Sequence, residues 1–362
     1  MISRDIKRIK KQIKPINYNR ISRDIRSDSR DMEKLKEKIR LSDVARLAGV
    51  SRSAAGKVLN GCSGDIRVGA DTRKRIEDAA RRLNYRTNMA AAMLAGRESN
   101  LIGVMVDAQT RFRNMQLLQE IERFAFRRHY RLMVSFTHDN ISDMRENYHA
   151  MQRYGVIGVI CLAHDYPQFR NEIGDLFRNV NDVIFMEKPY FDAAGWVGTD
   201  NRDALTELFA DLKHSGRKKI ALAYGSPIYQ SESTLLENYR AALTANGITF
   251  RPELLGRYPD DCTTLERCEY LIGHFIGRER PDALFVDDAT FAICIQSRLQ
   301  YSGWRIPEEL ILCGGNNDPL FRHAMPEIRS LNPHYEQIAA ELLEAVLRKD
   351  YTYRKTIKST YQ

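Results

Sequence analysis

From residue 101 onward, continuous apolar runs alternate with amphipathic stretches. Runs at 101–106 (LIGVMV), 131–136 (RLMVSF), 156–162 (VIGVICL) and 182–186 (DVIFM) read as strands, with helical periodicity near 114–128, 142–153 and 168–178. A second set has strand-like runs at 220–224, 254–258, 283–286 and 310–313. Its helices lie near 201–214, 235–246, 263–276 and 289–302, and a last helix near 334–348. Strands that are apolar on both faces belong to parallel sheets covered by helices on either side. Two such sets in tandem predict two α/β lobes. Open parallel sheets bind ligands at the carboxyl ends of their strands, so a cleft between the lobes is the expected site.

The amino-terminal part has a different period. Residues 41–60 read LSDVARLAGVSRSAAGKVLN. Val44, Ala45, Leu47 and Ala48 are expected on the apolar face of a short helix. Gly49 supplies a tight turn, and Ser51 caps a second helix. Ala54, Ala55, Val58 and Leu59 are expected to point inward, with Arg52, Ser53 and Lys57 outward. This is the pattern of a helix-turn-helix, and a small helix with a basic, polar outer face fits the DNA major groove. Residues 72–85 (TRKRIEDAARRLNY) predict a third helix with Ile76, Ala79, Ala80 and Leu83 on one face. The Ala-rich segment Asn88 to Ala95 can be helical, but is short enough to be marginal alone. Gly96 and Ser99 read as a linker.

Charge sharpens this reading. Residues 1–100 hold 25 Lys and Arg against 12 Asp and Glu, a net of +13, whereas the remainder is at −4. A basic module on a near-neutral body is the footprint of a phosphate-binding protein. The first 39 residues read as a basic, disordered arm, and Met32 is an alternative start nine residues before the first helix. No apolar run approaches the roughly 20 residues of a membrane-spanning helix, and no signal-peptide core follows the basic start. The six cysteines are scattered without a C-x-x-C pair, which argues against zinc and against a disulfide framework. No cofactor or metal is expected. The eight histidines lack metal spacing, and no nucleophile elbow, P-loop or G-x-G-x-x-G occurs, so the chain does not read as an enzyme. The neighbouring acids Asp287 and Asp288 would point opposite ways on a strand, so they do not form a dyad.

Three sets of motifs resemble the lactose-repressor/galactose-repressor family of bacterial transcription regulators over residues 40 to about 358. They are L-S-D-V-A-R-L-A-G-V-S at 41–51 with K-V-L-N at 57–60, then T-R-K-R-I at 72–76 with L-N-Y at 83–85, L-A-G at 94–96 and L-I-G-V at 101–104. The third set is G-R-K-K-I-A at 216–221, Y-R-A-A-L at 239–243, P-D-A-L-F-V at 281–286 and G-W-R-I-P-E-E-L at 303–310. The resemblance implies a helix-turn-helix headpiece at 40–87, a hinge helix and linker at 88–100, and a two-lobe, periplasmic-binding-protein-like core at 101–362. Lobe 1 would hold about 101–197 and 332–351, lobe 2 about 198–331 and 352–362, with crossings near 198, 331 and 352. It further implies a cytoplasmic homodimer that binds double-stranded operator DNA and is controlled by a sugar-like effector. Arg52 and Ser53 match the base readers, with Lys57 on the same face. Ser42, Ser51, Asn60, Thr72 and Tyr85 match positions that touch the DNA backbone. Asn88 opens the hinge helix, and Leu94 matches the apolar wedge that kinks the minor groove.

The chain also departs from the family pattern. Ala54, Ala55, Gly56 and Lys57 stand where the family usually has Thr-Val-Ser-Arg, and Thr87 replaces the usual Pro. Leu235 replaces an Arg that grips the effector, Asp288-Ala289 replaces Asn-Asp, and Gly314-Gly315-Asn316-Asn317 replaces G-F-D-D. Loss of an Arg and two carboxylates removes charged hydrogen bonds. The expected cleft residues are Asp107, Gln109, His164, Tyr224, Leu235, Asp288 and Asn316. Two other readings stand beside an effector-controlled repressor: a ligand-independent DNA-binding regulator with a degenerate cleft, and a two-lobe solute-binding protein.

Overall fold

The computed structural model describes residues 39–60, 68–87, 92–93, 98–107, 112–138, 140–192, 194–226, 229–259 and 262–361. The chain divides into two compact units, residues 1–99 and 100–362. The expected basic arm and its Met32 alternative, most of the hinge helix with Asn88 and Leu94, and Gln109 lie outside the described residues.

The first unit carries α1 (Leu41–Ala48), α2 (Arg52–Asn60) and α3 (Ala70–Arg82). Asp43 closes the start of α1 by accepting the Arg40 N–H at 2.9 Å. Gly49 ends it at φ +64°, the left-handed region that glycine enters without steric cost. Ser51 caps α2: its Oγ accepts from Ala54 N at 3.1 Å. Val44, Ala45, Ala48, Ala55, Val58, Ile76, Ala79 and Ala80 form one buried core. Leu47 departs from expectation and is 50% exposed. At 100° per residue, 41, 44, 45 and 48 share a stripe, and position 47 falls roughly 100° from its centre. Gly56 is buried against α1, where an added Cβ would stand 3.2 Å from Leu41 Cδ2. Ala92 and Met93 are helical, and Ala92 is fully buried.

The second unit holds two six-stranded sheets. In chain order its first elements are β1 (Leu101–Asp107), α4 (Phe112–Arg127), β2 (Arg131–Thr137), α5 (Ile141–Arg153), β3 (Val159–Cys161), α6 (Arg170–Phe177), β4 (Val183–Met186) and β5 (Gly195–Asp200). These are followed by α7 (Arg202–His214), β6 (Ile220–Tyr224), α8 (Gln230–Ala245), β7 (Leu255–Arg257), α9 (Thr264–Leu271), β8 (Ala283–Val286), α10 (Ala289–Tyr301) and β9 (Ile311–Gly314). The chain ends with α11 (Pro319–His323), β10 (Arg329–Asn332), α12 (Tyr335–Arg348), β11 (Arg354–Lys358) and β12 (Thr360–Tyr361).

The first sheet runs β11-β5-β4-β3-β1-β2 and is parallel throughout. The second runs β12-β10-β9-β8-β6-β7, parallel except for the short antiparallel β12. Each sheet has a buried cluster on either face. On the first, α4 and α12 cover one side and α5 and α6 the other. On the second, α7 and α8 cover one side and α9 and α10 the other. β5 and β11 were not expected as strands, and they move the lobe assignment. β11 pairs with β5 from Arg354↔Trp196 to Lys358↔Asp200, so residues 354–358 belong to the first sheet, not to lobe 2. The last crossing therefore falls at Ser359, after β11, and the first falls beyond Asp200. The backbone pairing decides this: Gly195 N donates to Tyr351 O at 2.7 Å and Trp196 N to Tyr353 O at 2.8 Å.

Gly56 offers a test of the headpiece packing. Gly56→Ala should raise the stability of the first unit by about 0.5–1 kcal/mol, because alanine lowers the entropy cost of helix formation and the half-buried Leu41 side chain can shift by a few tenths of an ångström. Urea unfolding followed by circular dichroism measures it; a destabilised variant would mean that Leu41 is held rigidly.

Candidate functional site

The outer surface of the first unit is built by the start of α2. Arg52 and Ser53 are exposed in its first turn, and Lys57 is half-buried one turn later. Ser51 uses its hydroxyl as the cap, which holds the amino end of α2 in a defined direction. Ser42 and Thr72 are half-exposed on α1 and α3, and Thr72 Oγ1 accepts weakly from Arg75 at 3.4 Å. Tyr85 packs against the headpiece core, and Asn60 at the end of α2 is only 9% exposed. A capped helix that offers a guanidinium and a hydroxyl from its first turn can place both at base edges in a major groove.

In the second unit, a cavity of 160 Å³ lies where the carboxyl ends of the two sheets face each other. Residues that follow β3 (His164, Asp165), β4 (Glu187, Lys188), β8 (Asp287) and β9 (Gly315, Asn316) line it, together with the first turns of α8. Glu187 in its lining, and Asn317 and His334, each next in sequence to a lining residue, hold left-handed φ values of 68°, 42° and 58° without being glycine. Such backbone costs of order 1–3 kcal/mol per residue and tends to gather at functional sites. Two glycines leave room for carboxylates. A Cβ on Gly198 would meet Glu187 Oε2 at 2.7 Å, and one on Gly315 would meet Asp287 Oδ1 at 2.0 Å.

Asp165 joins the lobes. Its carboxylate accepts from Gln230 N and Ser231 N, both at 3.0 Å, at the amino end of α8, and also from the hydroxyl of Tyr190. The Arg170 guanidinium lies over the Tyr190 ring at 4.0 Å. A helix amino terminus carries free N–H groups and a partial positive charge, so it is a natural seat for an anion. Here the protein's own carboxylate occupies it. Burial works to raise the Asp165 pKa, but the hydrogen bonds from Tyr190, Ser231 and Gln230 outweigh it and hold the group below the usual carboxylate range.

Opposite lies an acceptor that the fold leaves unmatched. His164 is 6% exposed, and its Nε2 lies 2.6 Å from Met186 O. A carbonyl only accepts, so Nε2 carries the proton. Burial lowers the His164 pKa, against weaker opposing effects of Met186 O and Asp165, which keeps the ring neutral and Nδ1 a bare acceptor. Nδ1 has no hydrogen-bond partner, and neither has Oδ1 of Asn316, a residue 5% exposed. Glu187 accepts from Thr199 N at 3.1 Å and from Thr199 Oγ1 at 2.7 Å.

Of the expected cleft residues, His164, Leu235 and Asn316 line the cavity. Asp107, Tyr224 and Asp288 do not. Asp288 instead caps α10, accepting Phe291 N at 2.8 Å, which turns its neighbour Asp287 to the cavity. Tyr224 packs at the edge of the α7/α8 cluster. Asp165, Glu187, Thr199, Asn201, Gln230 and Ser231 were missed. The signal for several of them was position: each follows a strand or opens a helix, but β5 had not been recognised as a strand. Leu235 and Asn316 stand in the cavity where the family pattern has an Arg and a carboxylate, while Asp165, Glu187 and Asp287 supply carboxylates from other positions. Among the described residues no group of three or more His, Cys, Asp or Glu is arranged to hold a metal ion, and no helix is long and apolar enough to cross a membrane.

The interlobe contact has a defined acid limit. Because the Asp165 pKa is lowered when its partners are in place, the contact stabilises the closed lobes above the ordinary carboxylate pKa and loses that contribution as pH falls through the depressed value. X-ray scattering should show an unchanged radius of gyration from pH 8 to pH 5. Asp165→Asn, which cannot accept as a carboxylate does, should widen the second unit across that whole range. A variant as compact as the parent would remove Asp165 from this role.

Comparison with known proteins places these features. Residues 40–88 match the model of bacterial regulatory proteins, lacI family, and residues 209–357 match a periplasmic binding protein-like domain. The HTH-type transcriptional repressor PurR of Vibrio cholerae is 22% identical over 311 residues, covering 85% of this chain and 90% of that protein. The ribose operon repressor of Escherichia coli is 25% identical over 316 residues, covering 85% and 92%. Among solved structures, the lac repressor dimer bound to operator and the anti-inducer ONPF superposes with a TM-score of 0.75 at 21% identity, covering 90% of this chain and 98% of that one. The CelR–cellobiose complex superposes with a TM-score of 0.60 at 20% identity. The capped helix-turn-helix, the paired parallel sheets and the domain matches agree: this chain joins a DNA-binding domain of the bacterial lacI regulator family to a periplasmic binding protein-like domain, and is similar along most of its length to transcriptional repressors.

Proposed function

We propose that the protein is a homodimeric repressor that reads a pseudo-palindromic operator through α2 and releases or tightens its hold when a small hydroxylated metabolite enters the interlobe cavity. The observation that carries this reading is the pairing, in one chain, of a capped α2 offering Arg52 and Ser53 with a cavity lined by polar side chains from both lobes. The two half-sites would lie about one helical turn apart, as two-fold symmetric readers require. Ser42, Thr72 and Lys57 would hold phosphates, with Ser51 and Tyr85 at the same edge, and Leu94 would wedge the minor groove. Action on the chromosome would set the protein in the cytoplasm.

Dimerisation has support on the surface of the second unit. Phe126 on α4 and Val134 and Phe136 on β2 are 56%, 37% and 44% exposed, at the free edge of the first sheet. Leu265 and Tyr270 on α9 and Tyr301 on α10 are likewise exposed, Tyr301 at 92%. Exposed apolar side chains beside an unpaired strand edge are expected to be covered by a partner. The lac repressor, whose fold this chain shares, is a dimer on its operator. The polar lining that both lobes give the cavity, His164 and Asn316 among it, favours a working cleft over a degenerate one. DNA and effector must alter each other's affinity by the same factor.

Selection of genomic fragments bound by the purified protein, with and without a panel of sugars, tests the reading; recovery of no common palindrome would sink it. Arg52→Ala should cost about 1–3 kcal/mol at one half-site position and relax base preference there. An equal loss on every sequence would instead make Arg52 a phosphate contact. Leu94→Ala should weaken operator binding more than non-specific binding, measured by fluorescence anisotropy on both DNAs. Equal losses would remove the wedge.

A further inference from the structure

We propose that Cys268 and Cys294 form an oxidisable thiol pair, which a hydroperoxide converts to a disulfide that fastens α9 to α10. The inference goes beyond the proposed function. Neither cysteine lies in the headpiece, and neither lines the interlobe cavity.

Two packed helices place the sulfurs. α9 and α10 lie on the same face of the second sheet and share one buried cluster. Cys268, on α9, is fully buried, and Cys294, on α10, is half-buried against that cluster. The Cys268 thiol donates to Phe291 O at 3.8 Å. A helical carbonyl points along the axis toward the residues one turn on, so the sulfur that reaches Phe291 O also stands beside position 294. The two thiols are hydrogen-bonded to each other. Arg298 Nη1 and Glu269 Oε1, 2.8 Å apart, cross the same seam at its exposed side. Of the other described cysteines, Cys161 and Cys313 are sealed inside β3 and β9, and Cys262 lies in the turn before α9. Among the described residues no third His, Cys, Asp or Glu joins the pair to make a metal site, so the sulfurs are placed to bond to each other.

The surroundings divide the roles. Burial pushes the Cys268 thiol up, and its contact with Cys294 adds to this, so Cys268 keeps its proton. Cys294 is the sulfur that solvent reaches, one helical turn before Arg298 on the same face of α10. Its thiolate attacks one oxygen of the hydroperoxide. The O–O bond breaks, the leaving oxygen takes up the proton that Cys294 has lost, and Cys294 becomes a sulfenic acid. Cys268 Sγ then attacks Cys294 Sγ. The S–S bond forms, the S–O bond breaks, and hydroxide leaves as water with the Cys268 proton. Two electrons have passed from the two thiols to the peroxide. In a reducing compartment the thiols are the resting state and the disulfide is transient.

Mass spectrometry of the full-length, reduced protein treated with hydrogen peroxide tests this. Remaining thiols are blocked by alkylation before digestion with trypsin. Peptides 268–278 and 279–298 each carry one of the two cysteines and no other, so a link between them is unambiguous. Met325, 84% exposed, gauges the peroxide dose through its sulfoxide. The expected result is that each chain loses two alkylatable thiols and that the two peptides are joined, before Met325 is fully oxidised. Dithiothreitol should separate them. Cys268→Ala should halt the reaction at the Cys294 sulfenic acid, which dimedone traps. Cys294→Ser should leave Cys268 a thiol that alkylates only after unfolding. Three outcomes would each overturn the proposal: both peptides still alkylated once Met325 is fully oxidised, a link that joins two copies of the chain, or a link that forms only in urea.

Discussion

One carboxylate sets the state of the second unit. Asp165 leaves the carboxyl end of β3 in one lobe and accepts two backbone N–H groups from the first turn of α8 in the other. Those N–H groups have no partner within their own helix, so the contact satisfies donors that would otherwise need water or ligand. The natural anion seat is thereby taken by an anion of the protein. The cavity lies beside this contact, with Asp165, Gln230 and Ser231 in its lining.

The same local device, an amino-terminal cap, operates at both sites for different ends. Ser51 caps α2 with its own hydroxyl and thereby leaves Arg52 and Ser53 free to face outward. Asp288 caps α10, which frees Asp287 to face the cavity. In each case one of two neighbouring polar residues serves as the cap and the other faces the site.

The headpiece and the cleft meet different physical demands. DNA reading needs a rigid element with a few exposed polar side chains, and three short helices around a core of small residues supply it. Effector binding needs a site whose volume and chemistry change with closure. Two sheets, each with its own buried clusters, can move as bodies while the polar cleft between them rearranges. The left-handed Glu187, Asn317 and His334 lie at the junction where that rearrangement would occur.

The amino-acid sequence by itself determined the helix-turn-helix, the third helix and eight of the parallel strands, because hydrophobic periodicity and turn chemistry are local properties. Gly49 and Ser51 are legible for that reason, as are Ile76, Ala79 and Ala80. It did not show β5, β10, β11 and β12. GWVGTD, RSLN and RKTIK lack long apolar runs, and they are strands only because Trp196, Leu331 and Ile357 find partners distant in the chain. The cleft was half legible. His164, Leu235 and Asn316 could be placed from strand ends and motif position, whereas Asp165 and Glu187 depend on which lobe each loop faces. That choice rests on long-range register and on which carboxylate reaches a free helix terminus, and neither is encoded within a window of neighbouring residues.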